Sequence, residues 1–171
     1  ILRTASDFST QANPENTFII IGWTSWEREE WHLKGRYYNV NAGGHDSMPA
    51  ELEAKYKDWV TKQNPDEQAQ KSKIAHQQIY RFHRGLKERR IPHLFFNAFM
   101  TFQHNHLDNR QLDWNNRYLG PYDNNLSYYW YLKNQGFKDT SYYHFNNDAQ
   151  PIWAEVLHNF ILENKLHDTF Y

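Results

Sequence analysis

Apolar positions follow two rhythms along this chain, one suited to helices and one to buried strands. Ile1, Leu2, Ala5 and Phe8 recur at helical spacing and predict the end of an amphipathic helix over residues 1–12. Asn13-Pro14 stops it, because proline disfavours helical geometry in the residue before it. Thr17 to Ile21 is then continuously apolar and β-branched, the pattern of a strand covered on both faces, and Gly22 closes it. From Trp23 to Asp46 the chain is polar and aromatic and carries Gly35, Gly43 and Gly44, which predicts a long loop with short elements. Ser47 is placed to cap a helix through Leu52, Tyr56, Trp59 and Val60, with Pro49 in its first turn. Asn64-Pro65 opens a second helix through Ile74, Ile79, Phe82 and Leu86 to Arg90. Leu94 to Phe99 reads as a second buried strand, followed by a polar loop over residues 101–125. A short helix runs from Ser127 to Gln135 and ends at Gly136, and residues 138–147 read as irregular. A last helix, capped by Asp148, carries the stripe Ile152, Trp153, Val156, Leu157, Phe160 and Ile161.

Strand, helices, strand is a βαβ unit, so the two strands should lie parallel with their carboxyl ends on one rim, where ligands bind in such sheets. One domain over residues 1–171 accommodates the whole pattern. The absence of cysteine excludes a disulfide framework, a zinc-thiolate site and a cysteine nucleophile. With 19 basic and 20 acidic residues the formal net charge is −1, and no overall field exists to attract nucleic acid or an anionic membrane. The longest apolar run, Phe18 to Gly22, is far short of the roughly 18 residues that span a bilayer. Tryptophan (7), tyrosine (12) and phenylalanine (11) are abundant, and such rings either replace aliphatic residues in the core or line a surface for sugars or peptides.

Chemistry concentrates in two segments. Tyr143-His144-Phe145-Asn146-Asn147-Asp148-Ala149-Gln150-Pro151-Ile152-Trp153-Ala154 sets a histidine just ahead of the last helix, with small residues at 149 and 154 that let that helix sit close to the sheet. His144 there is either a base at the rim or a loop histidine that caps or packs on the helix. Ile19-Ile20-Ile21-Gly22-Trp23-Thr24-Ser25 ends the first strand in a glycine followed by a hydroxyl. Together these segments resemble the corresponding blocks of SGNH/GDSL-type hydrolases, over roughly the final two-thirds of that domain. The resemblance implies a three-layer, flavodoxin-like α/β fold with a short parallel sheet, incomplete at its N-terminus, where the family's Gly-Asp-Ser nucleophile block would lie. It further implies hydrolysis of acyl esters on glycans or lipids without a cofactor, with His144 as base, Asp139 as its orienter in place of Ser141, and Thr24 as oxyanion donor. Gly22, Trp23, Trp26, Arg28 and Asn97 are the accompanying binding residues.

A base without a nucleophile cannot carry acyl transfer, so the rival expectation is a non-catalytic module. Its aromatic rim of Trp23, Trp26, Trp31, Trp114 and Tyr118 would contact a saccharide or another protein. His104, His106 and Asp108 form a third candidate, a metal cluster in the 101–125 loop. Glu27, Glu29 and Glu30 beside Arg28 are either an acid–base pair or exposed ion pairs. The partners expected are an ester or saccharide ligand and, because a short sheet leaves an open edge, a second copy of the chain; neither nucleic acid nor a membrane is expected.

Overall fold

The computed structural model describes residues 2–45, 47–102, 112–140 and 144–167. Helix α1 (Leu2–Gln11) leads into strand β1 (Ile19–Trp23), and β2 (Glu29–Leu33), β3 (Arg36–Asn41) and β4 (Gly44–His45) follow. Helices α2 (Ala50–Thr61) and α3 (Pro65–Glu88) precede β5 (His93–Asn97) and β6 (Tyr118–Leu119). A 3-10 turn (Asn124–Leu126), α4 (Tyr128–Asn134) and α5 (Ala149–Glu163) complete the order. Two three-stranded sheets result: β1-β5-β6, parallel throughout, and β2-β3-β4, antiparallel.

The predicted βαβ unit is present, with Ile19 to Trp23 in parallel register with His93 to Asn97. Alternation along β1 and β5 sends side chains to opposite faces. Ile19, Ile21, Trp23 and Phe95 pack with Ile79 and Leu86 of α3 and with Leu2 and Ala5 of α1. Leu94 and Phe96 face the other way and meet Trp153, Val156 and Phe160 of α5 and Leu132 of α4. The sheet therefore carries helices on both faces. Cover on the α5 side is incomplete at the edge, however: Ile20 is 48% exposed, so the continuous apolar run of β1 does not report burial on both sides.

Two other expectations need correction. The 23–46 stretch is not a loop but chiefly the antiparallel sheet, because Glu29–Leu33 and Arg36–Asn41 form a hairpin across Lys34-Gly35. Both turn residues have positive φ (49° and 81°), the backbone twist that two-residue hairpins need. Trp31, Tyr38 and Val40 then pack on Leu52 of α2, with Tyr56 and Trp59 beside them. The second correction concerns Asp148: it occupies the N-cap position of α5 but its side chain accepts no cap hydrogen bond, and takes one from the Asn146 amide instead. Asn64 does cap α3, its Oδ1 accepting from the Asp66 and Glu67 amides at 3.0 Å each.

Between α3 and the sheet lie His76, His83 and His93, all buried. His93 Nδ1 is 2.8 Å from the Ile91 carbonyl, which only accepts, so Nδ1 carries the hydrogen. The bare Nε2 of His93 then accepts from His83 Nδ1 at 2.8 Å. Tyr122 Oη already accepts from the Leu112 amide and the Trp114 indole, which leaves it donating to His76 Nε2.

Candidate functional site

Beyond the carboxyl ends of β1 and β5 the chain opens a cleft of about 500 Å³ between the sheet, α1, α3 and the start of β2. That is the size range of small-molecule sites rather than of flat protein-docking surfaces. Its apolar surface comes from Trp23, Trp26, Ile74, Ile79 and Phe102, with Trp26 stacked on Phe102 at 5.9 Å between ring centroids. Ile74 is 44% exposed and presents bare apolar surface to solvent within the cleft.

The polar lining is organised by ion pairs. Arg3 grips Glu30 with two hydrogen bonds, Nε to Oε2 at 2.7 Å and Nη2 to Oε1 at 3.0 Å, which holds the Glu30 carboxyl below its usual range. Glu29 accepts from the indoles of Trp31 (2.9 Å) and Trp59 (2.7 Å), and Lys71 Nζ lies 3.1 Å away. Burial alone would raise the Glu29 pKa, but those three donors outweigh it and the carboxyl stays below its ordinary value. Lys71 also sits 4.3 Å from the Trp59 ring centre and donates to Gln63. The acidic cluster read from the sequence thus becomes ion pairs for Glu29 and Glu30.

Five of the sequence-predicted residues, Trp23, Thr24, Trp26, Arg28 and Asn97, line this cleft. The Asn97 amide is already engaged, accepting from Tyr118 Oη at 2.7 Å and donating to the Pro121 carbonyl at 3.3 Å. It braces the rim rather than reaching for a ligand. Gly22 is not in the lining; a Cβ there would meet the Phe96 ring at 2.5 Å, so its role is close packing. Ser25 lines the cleft, but its hydroxyl faces the Met100 thioether at 3.5 Å and accepts from the Glu27 amide at 3.1 Å, with no imidazole on it among the described residues.

His144 and Asp139 lie elsewhere. Asp139 pairs with Phe145 in an isolated antiparallel bridge, and the His144 carbonyl accepts from the Thr140 amide (2.7 Å) and hydroxyl (2.9 Å). The imidazole is exposed and outside the cleft lining. Asp139 is committed to Lys133 and to Tyr129 Oη, whose hydrogen bonds hold it below the usual carboxylate range. The Asp139–Phe145 bridge is nonetheless at the rim end of the sheet. Phe145 packs on Tyr129, whose amide donates to the Ala98 carbonyl, and the Ala98 amide donates to the Trp23 carbonyl.

Of the proposed aromatic rim, Trp31, Trp114 and Tyr118 are core residues, each at most 5% exposed, because α2 covers Trp31 and α3 packs over Trp114 and Tyr118. Arg3, Lys71 and Gln78 were not singled out in the sequence, and Leu2 and Ile74 were read only as helix positions; α1 and α3 bring all five to the cleft from distant positions. His104, His106, Asp108 and Ser141 fall outside the described residues. Among the described residues no group of three or more His, Asp or Glu is placed to hold a metal ion, and no helix is long and apolar enough to cross a membrane. No known family, no curated protein and no solved structure matches the chain.

Proposed function

We propose that this chain is a non-catalytic carbohydrate-binding module on an SGNH/GDSL-like, flavodoxin-like α/β scaffold, and that the cleft beyond β1 and β5 is its binding site. The observation that carries the reading is the cleft itself, in which apolar ring surface and hydrogen-bonding side chains share one concave space of ligand size. Sugars present both kinds of surface, C–H faces that pack on aromatic rings and hydroxyls that pair with side chains. The parallel β1-β5-β6 order and the helices on both of its faces support the scaffold reading.

Ester hydrolysis, the activity the resemblance implies, asks for a nucleophile within hydrogen-bond reach of an oriented base. Ser25 faces a thioether, and Asp139 is held by Lys133 and Tyr129. Cleavage of p-nitrophenyl acetate by the chain and by a His144→Ala variant should therefore proceed at the same background rate. A clear loss in the variant would contradict the binding reading and restore His144 as a base. Binding itself is tested by saturation-transfer NMR with monosaccharides, where the expected signal disappears in a Trp26→Ala variant.

A further inference from the structure

Acceptors and donors in the cleft do not balance. Both carboxylates of the lining are used up, Glu29 by two indoles and Lys71 and Glu30 by the Arg3 fork. Donors remain. The Arg28 guanidinium, exposed at the mouth, has no ion pair or side-chain hydrogen bond among the described residues, and its five N–H groups only donate. The indole N–H groups of Trp23 and Trp26, on rings that line the cleft, are buried without an acceptor among the described residues. Both N–H groups are sealed from solvent, so the donor that the cleft itself presents to a ligand is Arg28. The remaining orphans, on Gln68, Ser72 and Trp153, do not line it. Charge points the same way: among the described residues of the lining, Arg3, Arg28 and Lys71 face two carboxylates, leaving one positive charge over.

We propose that the saccharide bound here is acidic, carrying a carboxylate or phosphate that docks against Arg28; this rests on the carbohydrate-binding reading. A neutral sugar brings hydroxyls that donate as readily as they accept, and it leaves Arg28 uncompensated. An ionised acid group adds acceptors to those hydroxyls and cancels the charge, and a planar guanidinium matches carboxylate or phosphate in a two-point contact. Nucleic acid fits poorly, since a backbone of repeated phosphates needs a basic surface and this chain has a net charge of −1.

Isothermal titration of the full chain with glucose, glucuronate, glucose 6-phosphate and inorganic phosphate tests this. At least one acidic sugar should bind about tenfold tighter than glucose, as one charge-assisted hydrogen bond provides. Comparing the two acids decides between carboxylate and phosphate. Arg28→Gln, at an exposed position where the fold is not at stake, should bring the acid down to the affinity of glucose, and added salt should do so in part. Equal binding of glucose and both acids, or an acid preference that survives Arg28→Gln, overturns the acidic-ligand inference and leaves carbohydrate binding standing. Binding of inorganic phosphate as tight as glucose 6-phosphate, with no glucose binding, overturns the saccharide in favour of a free anion. If none of the four binds, the carbohydrate reading itself falls.

Discussion

At the scale of single residues, two glycines do different work. Gly120 has φ +50°, and a Cβ there would run into the Leu126 side chain. Gly120→Ala should lower unfolding free energy by about 2 kcal/mol or more, combining left-handed backbone strain with overpacking. Gly22 has no such backbone demand, but Phe96 lies over it and is braced by Trp153 at 5.3 Å. Gly22→Ala should cost roughly 1–3 kcal/mol through overpacking alone, and urea unfolding distinguishes both variants from the parent. Gly22 entered as a binding residue through the resemblance, whose strand ends in a glycine, and a residue without Cβ permits a close approach. The approach is real, yet its partner is a phenylalanine ring inside the protein. The same ambiguity sent Trp114 and Tyr118 to an imagined rim, since composition counts rings without saying which of them α3 covers.

At the scale of elements, the caps separate sequence signal from geometry. Asn64→Ala should cost about 1 kcal/mol because two helix amides lose their acceptor, whereas Asp148→Ala should stay within about 0.5 kcal/mol because its side chain caps nothing. Equal losses in denaturant titrations of the two variants would contradict that contrast. Helices α1 to α5 and strands β1 and β5 were legible because their apolar periods are long or unbroken. The hairpin was not, although Lys34-Gly35 between Trp31-x-Leu33 and Tyr38-x-Val40 holds its signal, because tyrosine and asparagine blur the alternation. Two-residue β6 has no period to read at all.

At the scale of the whole molecule, the histidines that pack α3 on the sheet link folding to acidity. Burial pushes His76 and His83 down to about 4 and His93 to about 3, with nearby Lys87 and Arg117 adding to the effect on His83 and Arg117 and His83 adding to that on His93. Asn115 and Asp113 oppose the shift at His83, as the Ile91 carbonyl does at His93, without reversing it. Unfolded, each imidazole takes a proton near pH 6.5, so below that the unfolded chain binds more protons than the folded one. Stability should therefore hold at neutral pH, fall as pH drops from 6.5 toward 4, and not recover below, at up to about 1.4 kcal/mol per unit for each histidine. Melting temperatures unchanged over that range would contradict the neutral, hydrogen-bonded histidines.

The cleft also belongs to this scale, since α1, β1, β2 and α3 each contribute to it and no short motif encodes it. That is why the sequence supplied Trp23, Thr24, Trp26 and Arg28 but not Arg3, Lys71 or Gln78. The indole N–H resonances of Trp23 and Trp26, assigned from Trp→Phe variants and followed by NMR during titration with glucuronate and with glucose 6-phosphate, test its role most directly. Both signals should shift with at least one of the two sugars while that of Trp153, an equally unpartnered indole on the α5 face, stays in place. Movement of the Trp153 or His144 signals with those of Trp23 and Trp26 unmoved would put the binding site somewhere else.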